Sequence, residues 1–293
     1  MRKLVIGCGY LGERVGRKWL AAGHETWVLT RSLVRANQLA EAGFRTVVGD
    51  VLDLQSVQRL PRAETVLYSV GFDPTGRASK RDVYVGGLRN VLRELRTTTR
   101  RFMEISSTSV YGQDDGEIVN ESSPVLPRTE GGCICLNAED AVWEAFPSLS
   151  PERGVDGALI LRLSGIYGPG RLLARVEQLR RGVAFKGNPD AWLNLIHVED
   201  AVQAVLAAEI LGRVGETYLV SDNRPLRRLE YFTELAARIG LPAPTFEPLS
   251  DDSLERKRLN KRCENRRVRE ELRVEFLYPT VSDGLRHLFG EPR

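Results

Sequence analysis

The stretch KLVIGCGYLG, residues 3–12, decides the fold. Lys3-Leu4-Val5-Ile6 reads as a buried strand, and Leu11, Val15 and Trp19 then recur at helical spacing. Between them lies Gly7-Cys8-Gly9-Tyr10-Leu11-Gly12, a Gly-x-Gly-x-x-Gly turn that leaves a strand and opens a helix. Each glycine has its own duty: Gly7 allows the tight turn, Gly9 lets the backbone approach a pyrophosphate, and Gly12 lets the helix pack on the strand. The helix start then offers N–H groups and positive dipole to an anion. The expectation is a nicotinamide dinucleotide whose phosphates lie on Gly7, Gly9, Tyr10, Leu11 and Gly12. The blander reading is a structural turn with no ligand.

Outward from this turn, apolar runs alternate with amphipathic helical patterns. ETWVLT (25–30), RTVVG (45–49), TVLYSV (65–70), RFMEIS (101–106) and ALILRLS (158–164) read as further strands, and 79–97 and 136–146 as helices. Strand–helix alternation with short links implies a parallel sheet with helices on both faces, and right-handed crossovers make it a Rossmann-type doubly wound α/β fold. After Ser164 the rhythm breaks: a Gly/Pro loop, a helix near 171–181 and a hairpin-like stretch to Ile196 precede a return helix over 199–211. Helices are expected at 227–239, 252–271 and 280–289, giving a smaller, mainly helical C-terminal lobe. The expected division is therefore 1–164 with 196–220 for the dinucleotide-binding domain, and 165–195 with 221–293 for the substrate side.

The second strand ends in Thr30-Arg31-Ser32, where an NAD site usually carries an acidic residue for the ribose 2′-hydroxyl. Arg31 and the Ser32 hydroxyl suit a 2′-phosphate, because a guanidinium pairs with phosphate in a fork. This favours NADP, with NAD as the alternative. Asp50 and Val51 follow the third strand and suit the adenine; Gly71, after the fourth, and Ser106, ending the fifth, complete the expected cofactor set.

Composition narrows the remaining choices. The 293 residues carry a formal net charge of +3, too small to announce nucleic-acid binding, although Arg256 to Arg269 is strongly basic. Cys8, Cys133, Cys135 and Cys263 lack metal-site or redox spacing, and with three histidines no metal is expected. No apolar run approaches the roughly 20 residues of a membrane helix, and the chain enters its first strand at once, so no membrane and a cytoplasmic location are expected.

Four further motifs resemble the extended short-chain dehydrogenase/reductase superfamily, in its NAD-dependent epimerase/dehydratase branch. They are Ser106-Ser107-Thr108-Ser109-Val110-Tyr111-Gly112, Val85-Gly86-Gly87-Leu88-Arg89-Asn90-Val91-Leu92, Leu161 to Gly170 (LRLSGIYGPG) and Asn194 to Asp200 (NLIHVED). The resemblance implies Ser/Thr, Tyr and Lys chemistry, in which the tyrosine trades a proton with a substrate hydroxyl, the lysine lowers its pKa, and the Ser/Thr orients the substrate oxygen. Ser107 matches the Ser/Thr. Aligned on Leu136-Asn137-Ala138-Glu139, the tyrosine position holds Gly131 and the lysine position Cys135, and neither can do that work. The chain therefore resembles an atypical member of the superfamily. The resemblance also implies a homodimer through the helices near 79–97 and 136–146.

Tyr111 is the replacement proton carrier to consider, or else a structural aromatic closing its loop. Tyr167 and His197 lie in motifs that the resemblance sets near the substrate; His197 is an acid/base candidate, or a packed strand-end residue. Lys261 and Arg262 suit the diphosphate of a nucleotide-activated substrate, or form a solvated basic face. Two functions stand. One is an NAD(P)-binding, epimerase/dehydratase-like oxidoreductase acting on a small molecule such as a nucleotide sugar through a non-standard proton relay. The other is a non-catalytic NADP-binding redox sensor or scaffold.

Overall fold

The structure, a computed structural model, describes residues 1–147, 157–247 and 259–291. Its centre is a seven-stranded sheet built from β1 (Arg2–Ile6), β2 (Glu25–Thr30), β3 (Arg45–Val48), β4 (Thr65–Tyr68), β5 (Arg101–Ser107), β7 (Gly157–Leu163) and β12 (Thr217–Val220). Their order is β12-β7-β5-β4-β1-β2-β3, and β1 pairs in parallel with both β2 and β4. The chain thus runs outward from β1 to β3, then crosses back to β4 on the other side, which makes the β1/β4 boundary the switch point of the sheet. The helices of this part are α1 (Gly12–Ala21), α2 (Leu33–Glu41), α3 (Leu54–Gln58), α4 (Gly87–Leu95) and α5 (Glu130–Ala145).

Side-chain alternation along the strands makes the two faces. Leu4, Ile6, Val66, Phe102 and Ile160 pack with Leu88, Val91 and Leu92 of α4 and with Ile134, Ala138 and Val142 of α5 in one buried cluster. Val5 points the other way, toward α1: a Cβ on Gly16 would meet Phe44 at 2.7 Å and the Val5 side chain at 3.5 Å, so the helix seats closely. Helix α4 is preceded by a single π-helical turn, Asp82–Gly86, so the long helix expected over 79–97 is interrupted. A Cβ on Gly87 would lie 2.5 Å from Val51, and the chain takes its irregular turn at this close approach.

The chain divides into two compact units, the first comprising Met1–Ser107, Cys133–Arg162 and Val205–Tyr218. At the N-terminal edge of its sheet, Glu209 accepts from Lys3, from Thr65 Oγ1 at 2.8 Å and from Trp19 Nε1 at 2.7 Å. Glu209 belongs to α7 (Val198–Leu211), whose last carbonyls are capped by Arg101 Nη1, 2.8 Å from both Ala208 O and Gly212 O. Burial of Lys3 pushes its ammonium down to about 8.

The second unit, Thr108–Gly132, Leu163–Ala204 and Leu219–Arg293, contains short strand pairs and helices. Strand β6 (Glu117–Val119) pairs in parallel with β15 (Lys261–Cys263), β8 (Gly165–Tyr167) with β11 (Leu195–His197), and β9 (Phe185–Lys186) with β14 (Phe246–Glu247); β10 (Trp192–Leu193) and β13 (Leu226–Arg227) run antiparallel. Helices α6 (Leu173–Arg180), α8 (Arg228–Arg238) and α10 (Val281–Phe289) surround a core of Phe185, Phe232, Leu235 and Leu285, and a short helix α9 (Arg266–Glu270) follows β15. Two expectations are corrected here. The stretch to Ile196 is no hairpin, because β9, β10 and β11 each pair with a strand distant in sequence. The helix expected over 252–271 is also wrong beyond Leu259: Lys261–Cys263 is a strand held by β6, and only Arg266–Glu270 is helical. Pairing across the fold overrides the local helical propensity of its Arg, Lys and Glu; residues 252–258 lie outside the described residues.

Candidate dinucleotide site

The turn after β1 has the backbone that its glycines imply. Gly7 adopts φ +94°, and a Cβ there would sit 2.5 Å from the Ser69 backbone. A Cβ on Gly12 would lie 2.4 Å from the Gly7 carbonyl. Gly9 differs, since a Cβ there would meet no atom within 4 Å. Gly7 and Gly12 are therefore required by the fold, whereas Gly9 borders open space at the helix start. Leu11, the N-cap of α1, gives no side-chain hydrogen bond to the first turn. The residues present fit a dinucleotide, with a backbone cradle and a positive helix end at the switch point of the sheet.

Ser69, which sequence reasoning missed, closes this turn from β4: its hydroxyl donates to the Gly7 carbonyl at 3.0 Å. Its signal was its place just past the end of the strand adjoining β1. Tyr10 lies under the Arg14 guanidinium, 4.3 Å from the ring centroid, and Arg14 donates to the Tyr10 carbonyl at 2.7 Å. Burial, with Glu13 adding to it, pushes the Cys8 thiol up to about 12, so the turn carries no thiolate charge.

On the β2 side, Arg31 is exposed and meets Asp73 at 3.2 Å. Such an exposed pair is worth little, which leaves the guanidinium available to a stronger anion. Ser32 caps α2, its hydroxyl accepting the Arg35 N–H at 3.2 Å. Arg35, not foreseen from the sequence, bonds Glu13 of α1 and adds a second cation beside the turn. Asp50 accepts the Leu52 N–H at 2.9 Å, and the Val51 carbonyl takes the Asn90 side-chain amide at 3.0 Å. Gly71 has open space where a Cβ would be.

At the end of β5, Ser106 and Ser107 point to opposite faces. The Ser106 hydroxyl turns inward and donates to Glu139 of α5 at 2.5 Å. Arg162 of β7 forks onto the same carboxylate at 2.6 and 3.0 Å. Burial, and the charge of Glu139 beside it, push the carboxyl of Glu104 well above its ordinary range, with Arg162 opposing. The guanidinium is forked onto Glu139 and acts on Glu104 through its charge. A separate cavity of about 550 Å³, lined by Lys3, Trp19, Glu64, Arg101 and Glu209, opens at the N-terminal edge of the sheet, away from the glycine turn.

The family model whose description is NAD dependent epimerase/dehydratase family matches residues 4–220. The chain belongs to that family. This epimerase/dehydratase member is 29% identical to Short-chain dehydrogenase/reductase family 42E member 1 of Danio rerio, over 83% of this chain and 69% of that protein. It is 27% identical to Protein YeeZ of Escherichia coli K12, over 95% of this chain and 97% of that one. Its fold matches that of UDP-glucuronic acid 4-epimerase from Bacillus cereus, solved in complex with UDP-glucuronic acid and NAD, with a TM-score of 0.77 at 18% identity, covering 97% of this chain and 96% of that chain. The resemblance to extended short-chain dehydrogenase/reductases read from the motifs is thereby established.

In the second unit of this family member, several sequence candidates are deeply buried. Tyr111 is fully buried after a 3₁₀ turn (Thr108–Val110), and Lys261 donates to its carbonyl at 2.8 Å. Arg262 Nε donates to the Gly116 carbonyl at 2.8 Å and stacks over Trp192 at 5.2 Å. His197 is fully buried with its ring 4.0 Å from that of Tyr278, and its Nδ1 accepts the Glu199 N–H at 3.3 Å. Tyr167 packs edge-on at 5.2 Å to the same imidazole. Asp200 accepts the N–H groups of Leu277 and Tyr278 at 2.6 and 3.1 Å. Burial pushes Asp200 up to about 6 and Asp222 up to about 8. The structure thus gathers Tyr167, His197 and Asp200 into one buried group, and gives Lys261 and Arg262 partners within their own unit. No helix is long and apolar enough to cross a membrane among the described residues.

Proposed function

We propose that the chain is an NADP-dependent oxidoreductase of the epimerase/dehydratase type acting on a nucleotide-activated sugar. The observation that carries this reading is the open space at Gly9 beside a helix start, with Arg31 exposed at the end of β2. Gly7, Gly9, Tyr10, Leu11 and Gly12 would hold the pyrophosphate, Arg31 and Ser32 the 2′-phosphate, and Asp50 and Val51 the adenine. Gly71 would border the same groove. Once bound, the dinucleotide supplies hydride transfer to or from a substrate carbon. Ser107 orients the substrate oxygen, and Ser106, fixed on Glu139, stiffens the strand end beneath it. NAD and UDP-glucuronic acid in the B. cereus epimerase support the cofactor type and the sugar-nucleotide class. A homodimer through α4 and α5 completes the reading, and size-exclusion chromatography with light scattering tests it.

The test is calorimetric titration with NADPH and NADH, for the native chain and for Arg31→Ala. We expect NADPH to bind more tightly, and the substitution to weaken NADPH at least about tenfold while sparing NADH, as loss of a charge-assisted phosphate contact requires. Equal affinities would return the assignment to NAD, and no binding of either would reject the reading. A second reading, a dinucleotide-binding sensor that does not turn over, is favoured by Gly131 and Cys135 on α5. It predicts NADPH binding but no consumption of UDP-glucose or UDP-glucuronic acid.

A further inference from the structure

Gly131 and Cys135 leave α5 without a phenol or an ammonium, and the buried Tyr111 exposes none. A phenol comes instead from the π-helical turn before α4. We propose that Tyr84 is the proton donor of this site. The assignment rests on the dinucleotide reading above and names the group that moves the proton.

Three placements carry it. Tyr84 is half-buried against the cluster that holds Ile134 and Ala138, and the Cys135 thiol is its titratable neighbour from α5. Its ring therefore lies beside the stretch of α5 that carries Cys135 and no ammonium. Second, its hydroxyl accepts the Phe72 N–H at 3.3 Å, from the loop whose Ser69 seals the glycine turn. The switch point divides a dinucleotide into an adenosine half over β2 and β3 and a nicotinamide half over β4 and β5. Held by the loop after β4 and beside α5, Tyr84 is on the nicotinamide side. Third, the Lys80 ammonium lies 5.3 Å from the ring centroid, one helical turn earlier in the chain. Among the described residues, Lys80 just before the turn, the Phe72 N–H, Cys135 of α5 and the Tyr68 phenol of β4 are polar groups that face it.

The π-helical turn inserts an extra residue where a regular helix would aim position 84 elsewhere, and such bulges recur at functional sites. Burial raises the phenol above its ordinary range and the Phe72 N–H opposes this, so Tyr84 is protonated at neutral pH and acts first as a donor. In the reducing direction the phenol O–H bond breaks and the substrate carbonyl oxygen takes the proton, while the hydride that a reduced nicotinamide dinucleotide would supply adds to the carbonyl carbon. The tyrosinate left behind is held by the Phe72 N–H, with the Lys80 ammonium over its ring, then takes a proton back from water. The oxidising direction reverses each transfer.

A tyrosine that only fills space would not respond to the charge of the nicotinamide ring, and the test uses that. The full chain is labelled with 3-fluorotyrosine, and Tyr84→Phe assigns the ¹⁹F resonance of position 84. Its ionisation is followed by pH titration with NADPH, with NADP⁺, and with 2′-phospho-ADP-ribose, which lacks nicotinamide. The expected midpoint with NADP⁺ lies about one pH unit or more below that with NADPH, because a positive ring within several ångströms favours tyrosinate. Lys80→Met should raise the midpoint in every state. Identical midpoints with NADPH and NADP⁺, or a shift that 2′-phospho-ADP-ribose reproduces, would overturn the role of Tyr84. Failure of calorimetry to detect either dinucleotide would overturn the cofactor reading, and this role with it.

Discussion

Glu139 is a single carboxylate that receives Ser106 and both arms of Arg162, with the ion pair almost fully buried. Removing one partner of such a pair typically costs about 3–5 kcal/mol, since the other charge is left buried. Asp222 is the opposite case, a buried acid whose Oδ2 has no hydrogen-bond partner among the described residues and whose carboxyl burial pushes from 3.8 up to about 8, with the Arg224 and Val281 N–H groups opposing. The folded state holds a proton that the unfolded chain releases above its ordinary value. The unfolded state therefore binds fewer protons in this window, and Asp222 lowers stability progressively as pH rises from 3.8 to about 8. Asp222→Asn keeps the shape and the acceptor for the Arg224 N–H. It should melt higher than the native chain at pH 8, by at least about 1 kcal/mol or ~2–4 °C, with the gap closing toward pH 4. Melting curves at both pH values check this, and a gap that is constant with pH would show that Asp222 is ionised in the fold.

At the scale of elements, the glycine turn separates folding from binding. Gly7→Ala forces a Cβ into the Ser69 backbone from a positive φ, so it should lose stability by about 1–3 kcal/mol. Gly9→Ala meets nothing within 4 Å and should melt like the native chain, yet lose at least about tenfold in dinucleotide affinity because the new methyl occupies the cradle. Calorimetry paired with thermal melts checks both, and a Gly9→Ala chain that binds normally would remove the pyrophosphate from this turn. The same contrast explains what could be read in advance. β2 was legible end to end, because ETWVLT is a compact apolar run bounded by turn residues. The strands and turn of the sheet were local patterns, and so was the Thr30-Arg31-Ser32 end. Lys261–Cys263 was not legible, because a strand of three residues exists only through its partner β6. Tyr84 was hidden for a related reason, since its significance lies in a π-helical turn and in its contacts with Phe72 and Cys135, which no spacing in the sequence marks.

At the scale of the whole molecule, each compact unit has its own buried polar anchor. In the first, Glu209 joins β1, β4 and α1 through Lys3, Thr65 and Trp19. In the second, Asn265 binds the Ser221 carbonyl at 2.9 Å and Asn223 at 2.8 Å, and a capping box at Thr280 and Asp283 starts α10. Gly284 lets α10 lie against Tyr167, where a Cβ would come within 2.0 Å of the hydroxyl. The thiols are distributed so that the fold controls their reactivity. Cys8 and Cys263 are pushed up to about 12 and Cys135 is buried, whereas Cys133 is exposed on α5. Since only thiolate is an effective nucleophile, the native chain should take up one equivalent of a maleimide dye quickly, and all four once unfolded in guanidinium. Mass spectrometry of timed samples would read the count, and rapid native labelling at Cys8 would contradict the burial of that thiol. Cys133 would then serve as a ready-made attachment point for a fluorophore, and the three slow thiols as a built-in clock for how often each part of the molecule opens.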